Sequence, residues 1–169
     1  MIGVDANAEL LREISHRASR KPARGGVPNA LFGRFSLEES PGELAQFAGF
    51  LTVLFPWGSL LRAVAVPQVG ALEKLAALGK PGAGIRFFYG YGATREGPKV
   101  DALGLPELGG SSALRALERG YAAAGLEVRA RYVSREEVAS VQSAWAKKLA
   151  FSGIERVFVE LAGCIPARQ

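Results

Sequence analysis

Two tryptophans, two runs of cations and one acid at a strand end are the residues best placed to do chemistry. Trp57 stands in "LFPWGS", residues 54–59, where an apolar run gives way to a turn. Trp145 is followed closely by Lys147 and Lys148. An aromatic ring beside cations suits a nucleic-acid base stacked beside its phosphates. A tryptophan anchoring a helix to the core is the competing reading of Trp145. Arg17, Arg20, Lys21 and Arg24 form the second run, which ends at Gly25 and Gly26. The glycines would let backbone approach a phosphate chain closely. Basic residues at a helix end are also favourable in their own right, and such a run commonly marks a solvated face. Asp5 closes "MIGVD". An acid ending a strand of a nucleotide-binding sheet accepts hydrogen bonds from ribose hydroxyls, and an acid before a helix is equally explained by the macrodipole.

Other chemistries find less support. His16, the one histidine, has no acid or nucleophile beside it in the pattern. Cys164 is the one cysteine, so no internal disulfide forms and a reducing compartment is expected. No Cys/His spacing suits a metal, and none is expected.

These residues need elements to position them. "MIGVD" reads as a strand, and Asn7 can cap a helix in which Leu10, Leu11, Ile14 and Ala18 recur at helical spacing. Pro22 stops that helix, and "KPARGGVPN" reads as a loop. "ALFGRF" is a short strand and "LTVLF" a buried one, followed by helical segments over about 58–65 and 68–79. "AGIRFFYGYG" is a strand leaving through glycines, and "REGPKVDALGLPELGGSS" reads as loop. Residues 112–124 make a helix, "LEVRARYV" and "ERVFVEL" strands, and the segment between those two strands is partly helical. Alternating strands and helices imply a mostly parallel sheet, with an antiparallel pair at the end. Ligands of such sheets sit beyond the carboxyl ends of the strands. Asp5, the Glu38 region and "FPWG" are all expected at such ends, converging on one crevice.

The chain has 169 residues, 49% of them hydrophobic, enough for one domain with a real core. A formal charge of +5 favours an anionic partner. No apolar run approaches the roughly 20 residues of a membrane span, and no signal peptide is visible. No membrane partner and a cytoplasmic location are expected.

Taken in order, "IGVDAN", "KPARGG", "NALF", "EES", "LTVLFPWGSLL", "GLP" and "SAWAKKLAF" resemble the kanamycin–apramycin resistance methyltransferases. These are 16S rRNA (adenine(1408)-N1)-methyltransferases that use S-adenosylmethionine. The resemblance runs from residue 1 to about 161. It implies an α/β fold with a class I, Rossmann-like methyltransferase sheet and an antiparallel final strand pair. It implies that Asp5 holds the cofactor ribose and that Leu37 and Glu38 flank and bond its adenine. Leu54, Phe55 and Pro56 would line the methyl-donor pocket, with Ser59 nearby. Trp57 and Trp145 would sandwich the target adenine, with Ser143 beside it. Arg17, Arg20, Lys21 and Arg24 would grip rRNA phosphates from one side, and Lys147, Lys148 and Arg156 from the other. The implied partner is 16S rRNA in the 30S subunit, and the full-length protein is expected to be a monomer.

Two departures from the family pattern carry expectations. The family has a further strand with an acidic, glycine-rich loop before "IGVD". Residues 1–169 are therefore expected to form one methyltransferase-like domain, truncated at its N-terminus and weak in cofactor binding. The strand ending at Asp5 should pair with "LTVLF" or leave a gap beside it, and an exposed edge favours association. After "WAKKLAF" the family continues Gly-Arg-x-Arg, where this chain has "SGIER". Two rival readings stay open: an inactive or truncated relative that only binds rRNA, and a small-molecule methyltransferase on the same sheet. The basic loop and paired tryptophans argue against the latter.

Overall fold

The computed structural model describes residues 1–92, 98 and 100–167. Two units are distinguished, Met1–Gly42 and Glu43–Gln169. In the first, strand β1 (Ile2–Asp5) leads into helix α1 (Ala8–Ala18), and strand β2 (Leu31–Arg34) returns parallel to β1. Asn7 caps α1 as expected, its side chain accepting from the Glu9 N–H at 3.0 Å. The apolar row of α1 is only partly used. Ala18 is buried, while Leu10 and Ile14 are exposed.

The second unit carries strands β3 (Ala48–Leu54), β4 (Gly79–Tyr91), β5 (Glu127–Val133) and β6 (Val157–Cys164). Their order is β3-β4-β6-β5. β3 and β4 are parallel, and β6 is antiparallel to both β4 and β5. The antiparallel final pair is therefore present. Helices α2 (Gly58–Ala65) and α3 (Val69–Leu78) join β3 to β4, and α4 (Gly110–Ala123) precedes β5. Two short helices, α5 (Arg135–Ser140) and α6 (Ala144–Ala150), lie between β5 and β6.

Two expectations need correction. Sequence pattern makes "LTVLF" a buried strand, yet β3 is an edge of its sheet. Only Val53 among the β3 residues is buried, and Phe50 is 58% exposed. An apolar run shows that a strand can be covered, not that it is. Of the two outcomes expected for β1, pairing with β3 is absent, and β1 pairs with β2. Sheet hydrogen bonding among the described strands is divided into β1-β2 and the four-stranded set. Within the loop-like stretch, residues 98 and 100–103 are helical, closed by the Leu105 N–H donating to Val100 O at 3.2 Å. Residues 95–97 and 99 of that stretch lie outside the described residues.

The core of the second unit is built from Leu61, Val64, Leu72, Phe87, Tyr89, Tyr121, Leu126, Val159 and Leu161, all nearly inaccessible. Burying each such side chain contributes roughly 1.5–3 kcal/mol. The Tyr121 hydroxyl donates to Val64 O at 3.1 Å, which ties α4 to α2. Among the described residues the Tyr89 hydroxyl is buried without a hydrogen-bond partner.

A second device is ionic. Glu160 of β6 is 4% exposed. Its carboxylate accepts from Arg86 Nε of β4 at 2.6 Å and pairs with the Arg131 guanidinium of β5. Arg131 also pairs with Glu137 of α5 at 2.6 Å. The Ser134 N–H, together with Arg131, holds the Glu137 carboxyl below its usual range. Ser134 and Glu137 form a capping box that starts α5.

Two predictions come from this packing. Burial first, and neighbouring phenols second, push Tyr89, Tyr91 and Tyr121 above the usual 10.0. The fold thus favours the neutral phenols, and that contribution is complete below pH ~10 and lost above it as the unfolded phenols ionise. Urea unfolding should show stability falling above about pH 10, and absorbance at 295 nm should show these three unionised until the protein unfolds. Titration of all four tyrosines in the native state near their ordinary value would contradict this. Second, Arg86→Ala or Arg131→Ala should each cost about 1 kcal/mol, because half-exposed guanidinium groups are screened by water. The double variant should cost on the order of 3 kcal/mol or more, since it strands the buried carboxylate. Strictly additive unfolding free energies would show that Glu160 does not depend on the pair.

Candidate functional site

In the first unit, Asp5 pairs in register with Arg34, so β1 and β2 end level. The chain leaves β2 into a short 3-10 turn, Leu37–Glu39. Asp5 and Leu37–Glu38 thus lie beyond the carboxyl ends of two adjacent parallel strands, the position where such sheets take ligands. Asp5 Oδ1 accepts from the Asn7 N–H at 2.8 Å, which fixes the carboxylate. Oδ2 has no hydrogen-bond partner among the described residues. A fixed carboxylate oxygen beside a turn that offers Leu37 and Glu38 fits a nucleoside. The carboxylate can accept from a ribose hydroxyl, and the turn can border a base.

The run Arg17, Arg20, Lys21 and Arg24 lies at the other end of this unit. α1 runs back along the strands for roughly 16 Å, and the Val27 N–H closes onto Ala18 O at 2.8 Å before β2 begins. Arg17 pairs with Glu13 at 3.7 Å. Arg20, Lys21 and Arg24 together line a cavity of about 420 Å³. Gly25 and Gly26 serve the loop itself. Gly25 takes φ +80, and a Cβ on Gly26 would collide with the Arg20 carbonyl. The compact "KPARGG" turn gathers three cations that a straight helix end would splay.

In the second unit, the "LFPWGS" turn is held from beneath by Phe55. This residue takes φ 50, a conformation that costs a non-glycine residue of order 1–3 kcal/mol. Packing compensates. The Phe55 N–H donates to Phe88 O at 2.7 Å. Its ring stacks on Phe88 at 6.1 Å and meets Phe158 edge-on at 6.4 Å. The Phe55 ring is therefore core, and what the turn shows outward is Leu54, Trp57 and Ser59, with Pro56 half-buried. Trp57 precedes α2 in extended conformation and is 51% exposed. Gly58, at φ 59, completes the reversal.

The same buried cluster carries the other tryptophan. Phe55, Phe88 and Phe158 pack with Val133, Val138, Ala146 and Ala150. Ala146 and Ala150 are the inward face of α6, so Trp145 faces away from the cluster and is 50% exposed. Lys148 Nζ lies 4.8 Å from the Trp145 ring centroid, a cation–π contact. Ser143 caps α6, its Oγ accepting from the Ala146 N–H at 3.4 Å. The hydroxyl keeps its proton to donate. Arg156 donates to Ser152 Oγ, so the one arginine of "SGIER" is engaged in its own turn.

The structure thus sets Phe55 of the Trp57 turn and Ala146 and Ala150 of the Trp145 helix in one buried cluster, and separately ends β1 at Asp5 level with β2, which two residues separate from the Leu37–Glu39 turn. Sequence reasoning missed Phe88, Phe158 and the Arg86–Glu160–Arg131 group. The available signal was the pair of alanines one helical turn apart in "AWAKKLA", which marks a close-packed helix face.

A family model described as NpmA, 16S rRNA (adenine(1408)-N(1))-methyltransferase, matches residues 1–164. The Escherichia coli 16S rRNA (adenine(1408)-N(1))-methyltransferase is 34% identical over 167 residues, covering 96% of this chain and 74% of the relative. The crystal structure of the 16S rRNA methyltransferase KamB is 36% identical with a TM-score of 0.82, over 98% of this chain and 76% of that one. A tryptophan-to-alanine variant of the 16S rRNA (adenine(1408)-N(1))-methyltransferase from Catenulisporales acidiphilia, solved with cosubstrate SAM, is 31% identical with a TM-score of 0.78, over 99% of this chain and 75% of that one. Matched by the family model over residues 1–164, and at 34% identity to a curated relative over 96% of its length, the chain belongs to the 16S rRNA (adenine(1408)-N(1))-methyltransferase family.

Proposed function

We propose that this protein methylates adenine N1 in the decoding-site region of 16S rRNA within the 30S subunit, with S-adenosylmethionine as methyl donor, and so confers aminoglycoside resistance. The observation that carries this reading is a pair of half-exposed tryptophans, Trp57 and Trp145, supported by one buried cluster.

S-adenosylmethionine, when bound, supplies an electrophilic methyl group. Asp5 accepts from its ribose, Leu37 and Glu38 border its adenine, and Leu54, Phe55, Pro56 and Ser59 form the turn on the methyl side. Trp57 and Trp145 cover the two faces of an adenine drawn out of its stack. Each stacking contact is worth roughly 1–3 kcal/mol, which offsets much of the few kcal/mol that extrusion costs. Covering the faces leaves the ring edge free, so that the N1 lone pair can attack the methyl carbon as its bond to sulfur breaks. N1 carries an in-plane lone pair, so no base is needed to deprotonate it, and catalysis rests on positioning. The Ser143 hydroxyl donates to the base edge. Arg17, Arg20, Lys21 and Arg24, with Lys147, Lys148 and Arg156, neutralise rRNA phosphates.

Trp57→Ala and Trp145→Ala should each lower methylation of 30S subunits by about 5- to 150-fold, while melting temperature changes little. Trp145→Phe should retain most activity, because it keeps an aromatic face. Primer extension across the target adenine reads all three. Unchanged methylation in both alanine variants would sink the stacking proposal. The cation cavity gives a separate test. Replacing Arg20, Lys21 and Arg24 together by Ala should weaken 16S rRNA binding and flatten its salt dependence by about 0.7–0.9 log units per lost contact. A salt slope equal to that of the wild type would remove this cavity from the RNA interface.

A further inference from the structure

Phe151 is 79% exposed, the highest value among the large hydrophobic side chains of the described residues. A lone exposed phenylalanine needs no explanation, but this one continues a pattern. Ala146, Leu149 and Ala150 turn toward the buried cluster. The opposite face of α6 then carries Trp145 and Lys148, and Phe151, the C-cap residue, continues the row at the same step of three residues, with Lys147 alongside. Trp145 and Lys148 are already in contact.

The exposure of Phe151 is not fraying. Its N–H donates to Lys147 O at 3.0 Å, and the Ser152 N–H donates to Leu149 O at 3.3 Å. Arg156 holds Ser152, and Arg135 Nη2 donates to Ile154 O at 3.0 Å. The turn after α6 is thus pinned from two directions, and the ring is held out in water on a fixed backbone. Six residues of helix place Phe151 about 9 Å along the axis from Trp145, with a lysine between them. That spacing exceeds one base stack and leaves room for a backbone phosphate between two splayed bases.

We propose that Phe151 stacks on a second base of the RNA, next to the one held at Trp145, with Lys147 and Lys148 on the intervening phosphate. The inference rests on the rRNA reading above and adds a recognition residue to it. An aromatic–cation–aromatic row is the arrangement that takes single-stranded nucleic acid without reading its sequence. Phe151 positions the strand and does not touch the reacting atoms.

Equilibrium binding of 30S subunits to the intact chain and to Phe151→Ala, Phe151→Leu and Phe151→Tyr tests it, with the melting temperature of each variant measured alongside. The alanine and leucine variants should bind about tenfold more weakly, the tyrosine variant should bind like the parent, and all should melt together. Parental affinity in Phe151→Leu would show that only apolar bulk matters, and parental affinity in Phe151→Ala that the ring contacts no RNA. A melting temperature lowered by several degrees in Phe151→Ala with unchanged binding would show that the ring packs against protein in solution. Each of these overturns the inference alone. A parent chain that binds 30S subunits no better than an equally basic control protein would overturn the rRNA reading and this inference with it.

Discussion

The aromatic cluster around Phe55 is the contact on which the second unit's functional surface depends. Phe55 holds a backbone conformation that a side chain resists, at φ 50. It does so because Phe88 and Phe158 enclose its ring and the Phe88 carbonyl takes its N–H. Loss of that packing would release the strain, and the turn that presents Trp57 would relax. The cluster also receives Ala146 and Ala150, whose small side chains let α6 approach closely. Trp57 and Trp145 are therefore aimed by a common interior, though 88 residues of sequence separate them. Surface aromatic groups gain precision from a rigid base, because rotamers and backbone beneath them are fixed by close packing.

The ionic group serves the same end at longer reach. Glu160 sits in the central part of the sheet, where a lone charge would be costly. Arg86 and Arg131 make it tolerable, and Arg131 extends the connection to Glu137 in the capping box of α5. The segment from β5 through α5 to α6 is thus registered on the sheet before it reaches Ser143. Polar groups buried in this way specify one arrangement because few others satisfy them.

The first unit solves a different problem. Its two strands end level, with a carboxylate fixed at one end, and its helix carries cations to the other. An acceptor for hydroxyls and a collector of phosphates serve different groups, and they occupy different ends of the unit. The length of α1 keeps them apart. Gly26 lets the "KPARGG" loop fold onto the Arg20 carbonyl, so that Arg20, Lys21 and Arg24 face one cavity.

Much of this was legible in the residues. Helical and alternating spacing placed α1 to α4 and all six strands, Asn7 announced its cap, and "LFPWGSLL" with "WAKKLAF" marked the family. The spacing and the cap are local signals, set by backbone geometry within a few residues, and the family showed as a resemblance of motifs. Tertiary structure alone decided which apolar residues are covered. β3 reads as buried and is an edge, and Leu10 and Ile14 recur at helical spacing in α1 yet stand exposed. Periodicity reports that a face could be buried, whereas burial depends on which distant segment arrives to cover it. The partners of Glu160 were hidden for the same reason, because Arg86 and Arg131 lie far from it in sequence and meet it only across the ladders of the sheet.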